Sequence, residues 1–109
     1  MKQIILVPMW LNMSPGKVAS QCCHVVEMSF TSLAHIFGVK PKARIVVKVD
    51  TPGHMLNILS KALSNNSLLV HCFVDSDPTT ENTAGQTTAV SITGNDEILQ
   101  PITGHLELY

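Results

Sequence analysis

Four short stretches of the chain are rich in apolar and β-branched residues: Gln3 to Pro8 (QIILVP), Ala43 to Asp50 (ARIVVKVD), Leu68 to Val74 (LLVHCFV) and Thr88 to Thr93 (TAVSIT). Each has the length of one strand, and each is bounded by loop-forming or helix-starting residues. The first is nearly continuous in apolar residues, which suits a central strand covered on both faces. Between the strands the period changes. Val18, Cys22, Val25, Val26, Ser29, Leu33 and Phe37 recur at spacings of three and four, so one face of a helix is to be buried. Met55, Leu56, Ile58, Leu59, Ala62 and Leu63 repeat the pattern. Ser14-Pro15 and Thr51-Pro52 mark the two starts: the hydroxyl caps a free N–H, and proline at the first helical position gives up a donor that had no partner. The pattern predicts helices over 14–37 and 52–64, the first closed by Gly38. Asn95 caps a short final helix, with Asp96 and Glu97 suited to its dipole. Pro101 and Gly104 are expected to limit it, leaving His105 to Tyr109 extended.

The order β-α-β-α-β-β-α contains two successive β-helix-β passages, each implying a parallel pair with a right-handed crossover. The expected fold class is α/β: a four-stranded mixed β-sheet with helices on both faces, forming a single domain over residues 1–109. Sites in such sheets gather at the carboxyl ends of the parallel strands. Those ends are Met9 to Met13, Asp50-Thr51 and Asp75 onward. The first delivers Lys17 and the third delivers Asp75.

Composition narrows the classes. Hydrophobic residues make up 45% of the 109 and charged residues only 14%, which excludes a disordered chain. A net charge of −1 excludes a strongly basic nucleic-acid binder, so RNA contact must rest on a local basic patch such as the turn Lys40, Pro41, Lys42, Arg44. Three cysteines without a CxxC pair read as free, mostly buried thiols in a reducing compartment. No apolar run is long enough to span a membrane, and because the first residues read as a strand, no signal peptide is expected. A cytoplasmic protein is expected. His35, His54, His71 and His105 show no metal-ligand spacing.

The chemistry concentrates on a second face of the first helix. Lys17, Gln21, His24 and Met28 stand at i, i+4, i+7 and i+11, within one narrow stripe. On spacing alone this is also what the wet side of an amphipathic helix looks like. Asp75, likewise, reads equally as a loop-starting residue after a strand.

The stretch Met13, Gly16, Lys17, Gln21, His24 resembles the M-x-x-G-K-x-x-x-Q-x-x-H signature of the type II peptidyl-tRNA hydrolases. Further blocks follow in the family's order: KARIVVKVDT, LLVHCFVD ending in Asp75, then Gly85, Thr88 and TAVSIT, and finally ITGHLELY, close to the family's T-G-H-L-x-L ending. The resemblance implies hydrolysis, without a metal or other cofactor, of the ester joining a peptide to the terminal ribose of tRNA. It carries functional roles onto Lys17, Gln21, His24 and Asp75, and less securely onto Thr80 and Thr88. Peptidyl-tRNA is the implied partner, no membrane is, and a homodimer is carried as an expectation. The chemistry suits these residue types. Asp75 is the first candidate base for an attacking water, and His24 the second. Lys17 or a threonine hydroxyl such as that of Thr88 can stabilise the oxyanion, or Lys17 can hold an RNA phosphate at its helix start. Gln21 would orient water or substrate, Thr80 would contact substrate, and Lys42 and Arg44 would anchor RNA.

The chain also departs from the family. Its R-x-D-L-x-M loop reads Pro8, Met9, Trp10, Leu11, Asn12, Met13, so the Arg and the Asp are replaced. Its D-A-G-R-T-Q loop reads Asp75, Ser76, Asp77, Pro78, Thr79, Thr80, Glu81 and is one residue longer. Thr79 therefore competes with Thr80, and Thr87 with Thr88. The loss of Arg and gain of acid argue for weaker tRNA binding. The competing reading is a non-catalytic binding module that kept the scaffold and lost the substrate loop. A third is a thiol-based redox role for Cys23.

Overall fold

The computed structural model describes residues 1–32, 41–76 and 83–109. Strand β1 (Lys2–Pro8) leads through a 3-10 turn (Met9–Leu11) to helix α1 (Pro15–Ser32). Then come β2 (Ala43–Val49), α2 (Pro52–Leu63), β3 (Leu69–Val74), β4 (Thr87–Gly94) and α3 (Asp96–Thr103). The sheet has the order β2-β1-β4-β3. β1 runs parallel to β2, while β4 is antiparallel to both β1 and β3. β1, β2 and β3 therefore point the same way, and their carboxyl ends share one rim. This is the expected α/β sandwich. The 33–37 end of the first predicted helix, its Gly38 stop and Lys40 lie outside the described residues.

The two faces of the sheet are covered differently. On one, α2 and α3 bring Met55, Ile58, Ala62, Leu99 and Ile102 onto Ile4, Leu6, Val47, Val49, Val90 and Ile92. On the other, α1 buries Val25 against Ile5 and Ala89, flanked by the partly buried Cys22, Val26, Val46 and Phe73. That layer also holds the buried Val7 and Val18, and paired polar groups run through it. Gln3, fully buried on β1, donates from Nε2 to the hydroxyls of Ser29 and Ser91 and accepts from Arg44 Nε at 2.8 Å.

Three expectations need correction. Pro101 lies inside α3 instead of ending it, because Leu99 and Ile102 on either side are both buried and carry the helix through. The stop falls to Gly104, whose N–H bonds Gln100 O at 3.0 Å. The tail is not extended from His105: residues 104–106 turn, with Leu106 N–H donating to Thr103 O at 3.1 Å. Only then does Lys48 N–H donate to Glu107 O, Tyr109 N–H to Val46 O, and Leu108 bridge Val47 antiparallel. The tail thereby covers part of the free edge of β2. The thiols are less buried than expected, with Cys23 and Cys72 exposed and Cys22 partly buried. Burial, and then the neighbouring Cys23, push the Cys22 thiol up, away from the reactive thiolate. Among the described residues, no helix is long and apolar enough to cross a membrane.

Candidate active site

The approach to α1 fixes Lys17. Asn12 takes a left-handed conformation (φ 51°), and its N–H closes the 3-10 turn onto Met9 O. Asparagine tolerates this region better than most residues. Ser14 then caps the helix as its spacing predicts: its hydroxyl accepts from Lys17 N–H at 3.2 Å and its carbonyl from Val18 N–H at 2.9 Å. Lys17 thus sits in the first turn, at the rim where the parallel strands end.

Asp75 follows β3 at the same rim. Its Oδ2 lies 2.9 Å from Lys17 Nζ, and the two side chains are only 5% and 11% exposed. The loop after Asp75 returns at Thr83, whose buried hydroxyl donates to the same Oδ2 at 2.5 Å. Thr83 opens a reverse turn in which its carbonyl accepts from Gln86 N–H at 2.9 Å. Gly85, third in that turn, has φ 78°, the sign a type II turn requires there. The turn is stapled to Asp75 through the backbone as well: Asp75 N–H donates to Gln86 O, and Gly85 N–H to Asp75 O at 2.7 Å.

Burying two charges costs several kcal/mol per ion before their attraction offsets it. Such a pair is a poor device for stability, and its place at the rim points to chemistry instead. A carboxylate there can accept a proton from water, and an ammonium 2.9 Å away can meet a developing negative charge.

One turn further along α1, Gln21 is 3% exposed and accepts at Oε1 from Thr88 Oγ1 at 2.5 Å. Strand alternation would aim Thr88 away from Ala89 and hence away from α1. The ladder slips here: Phe73 faces Ala89 but Val74 faces Thr87, so Thr88 is the extra residue of a bulge. The bulge turns its hydroxyl to the helix. Gln21 and Thr88 thus form a buried hydrogen-bonded pair one helical turn beyond Lys17. His24 stands apart: it is exposed, and its ring lies flat on Phe73, with centroids 4.5 Å apart and planes within 9°. The predicted stripe therefore divides into a buried half (Lys17, Gln21) and an exposed half (His24, Met28).

Lys42 and Arg44 are not with this cluster. They flank the start of β2, at the opposite rim of the sheet, where both are exposed. Thr80 lies outside the described residues. Thr83 was missed by sequence reasoning, and only Gly85 two residues on hinted at a turn that could bring it back. Trp10, where the family carries an acid, packs partly buried against the α2/α3 core. Pro8 ends β1 and, with Asn12, Met13, Val18 and Tyr109, lines a cleft of about 240 Å³. Among the described residues no group of three His, Cys, Asp or Glu side chains is placed to hold a metal ion.

No match to a curated protein is found. Among solved structures, a protein of unknown function from Agrobacterium tumefaciens strain C58 shares the fold with a TM-score of 0.70 at 9% identity. That match covers 99% of this chain and 96% of the other. The family model described as peptidyl-tRNA hydrolase PTH2 matches residues 1–109. With Gly16-Lys17, Gln21, His24 and Asp75 standing on one frame, the chain belongs to the type II peptidyl-tRNA hydrolase family.

Proposed function

We propose that the protein hydrolyses the ester between a peptide and the terminal ribose of tRNA, with Asp75 as general base and Lys17 stabilising the oxyanion. The observation that carries this reading is the buried Lys17–Asp75 pair at the carboxyl rim of the sheet. Asp75 takes a proton from water as the water oxygen attacks the ester carbonyl carbon. The negative charge leaves the carboxylate and appears on the carbonyl oxygen. Lys17, already beside the carboxylate, follows that charge across a short distance. Collapse of the tetrahedral intermediate breaks the ester C–O bond. The proton held by Asp75 passes to the departing ribose oxygen, leaving a ribose hydroxyl and a free peptide acid.

Other residues fit around this step. Gln21 and Thr88, one helical turn on from Lys17, are suited to orienting water or substrate. The open face of His24, backed by Phe73, offers a stacking surface for an unpaired base of the tRNA end. Lys42 and Arg44 lie about 20 Å away across the length of β2, suited to duplex phosphates and not to the reacting ester. A substrate made in translation puts the work in the cytoplasm.

The replaced Arg and Asp of the first loop favour the second reading, a scaffold that binds without turnover. Purified peptidyl-tRNA separates the two. Release of peptide well above the buffer rate is expected from wild type. Lys17→Ala should lower kcat if Lys17 meets the oxyanion, and raise KM if it holds a phosphate. Release at the buffer rate by wild type would overturn the hydrolase and leave the binding module.

A further inference from the structure

We infer that Thr83 is a positioning residue that fixes the orientation of the Asp75 carboxylate for proton transfer. This rests on Asp75 being the base, and it concerns a residue that the family's signature blocks, as set out above, do not include. Asp75 Oδ2 is held from two directions by two different elements. Lys17 reaches it from α1, and Thr83 reaches it from the turn that also clasps the Asp75 backbone. The two holds are not equivalent. An ammonium on a four-carbon stem is a mobile point charge that dictates little about direction. The terminal torsion of an aspartate is broad, so a mobile cation alone leaves the carboxylate plane loosely set. The Thr83 hydroxyl is a directional donor on a buried β-branched side chain, and its backbone is bound to Asp75 at second hand through Gly85 and Gln86.

The difference matters most during the reaction. As charge passes to the ester oxygen, Lys17 is drawn away from Asp75. Thr83 stays in place as a directional contact that keeps the carboxyl group aimed while it holds, and later returns, the proton. Loss of the hydroxyl should therefore fall on the chemical step and leave substrate binding alone.

The test compares wild type, Thr83→Val and Thr83→Ser in steady-state peptide release. Valine keeps the shape and removes the donor, while serine restores the donor. The expected result is a kcat lower by about tenfold to a hundredfold in Thr83→Val, the range of a hydrogen bond to a charged group. KM should be unchanged, and Thr83→Ser should recover most of the rate. A second readout is independent of turnover: titration of the Asp75 carboxyl carbon by NMR. A carboxylate that loses a donor protonates more readily, so Thr83→Val should move the Asp75 midpoint to higher pH and Thr83→Ser should return it. Lys17, the cation paired with Asp75, is present in all three proteins. Wild type without turnover would sink the hydrolase reading, and the titration would still decide the role of Thr83. A Thr83→Val protein with wild-type kcat and an unmoved Asp75 midpoint would overturn the proposal.

Discussion

The two faces of the sheet are built on different principles. Under α2 and α3 the interface is dominated by apolar side chains, from Leu6, Val90 and Ile92 on the sheet to Ile58 and Leu99 above it. Under α1 the buried apolar cluster is smaller, Val25 with Ile5 and Ala89, and Val7 and Val18 are buried beside it. Along the rest of that helix runs a line of paired polar groups. Ser29 meets Gln3, Gln21 meets Thr88, and Lys17 meets Asp75. Apolar burial stabilises a fold without direction, whereas each buried hydrogen bond adds only about 1 kcal/mol net but fixes a geometry. The dry face holds the protein together, and the polar face sets atoms in place. Among the described residues, the buried ion pair lies where this polar line reaches the carboxyl rim.

This contrast can be broken by substitution. The largest loss of stability is expected from the dry face. Ile58→Ala should cost about 2–5 kcal/mol in urea unfolding, yet leave peptide release per folded molecule unchanged. Next comes the Gln21–Thr88 pair. Gln21→Leu strands the Thr88 hydroxyl and should cost about 1–3 kcal/mol, while adding Thr88→Val should recover part of it. A double-mutant cycle checks the sign of that coupling. Arg44→Ala removes a charged donor from Gln3 Oε1 and should cost less, about 1 kcal/mol. If Arg44 meets an RNA phosphate, the same change should reduce the salt slope of tRNA binding by about one, with kcat preserved.

The smallest effect is expected from His71 on β3. Burial holds its imidazole below the ordinary histidine range. The unfolded chain then binds the proton first as pH falls. The stability tied to neutral His71 is complete above the ordinary value of about 6.5 and is lost as pH drops through the lowered folded value. Urea midpoints should fall between about pH 8 and about pH 5.5, and His71→Asn should flatten part of that slope.

The elements were legible because the period of apolar residues switches cleanly between strand and helix, and because Ser14-Pro15 and Thr51-Pro52 mark both helix starts. The meeting of Lys17 with Asp75 was legible from topology alone, since a helix start and a parallel strand end share one rim. What was hidden depended on local departures from regularity. Thr88 faces Gln21 through a bulge that strict alternation does not announce. Thr83 meets Asp75 because a loop closes on itself, a matter of tertiary contact and not of spacing. The stripe read as one functional line, but the helix packs so that Gln21 is sealed in and His24 is left outside. Pro101 is a stop by its own chemistry, but the joint burial of Leu99 and Ile102 carries the helix through it.

If the ion pair at the rim performs the hydrolysis, removing the base should all but abolish it. Single-turnover peptide release by wild type and Asp75→Asn, with folding checked by circular dichroism, tests this most directly. Asparagine keeps an oxygen for Lys17 and Thr83 but removes the basic site. The account predicts a rate lower by about two to four orders of magnitude, the usual share of a general base. An Asp75→Asn protein that releases peptide as fast as wild type would contradict it.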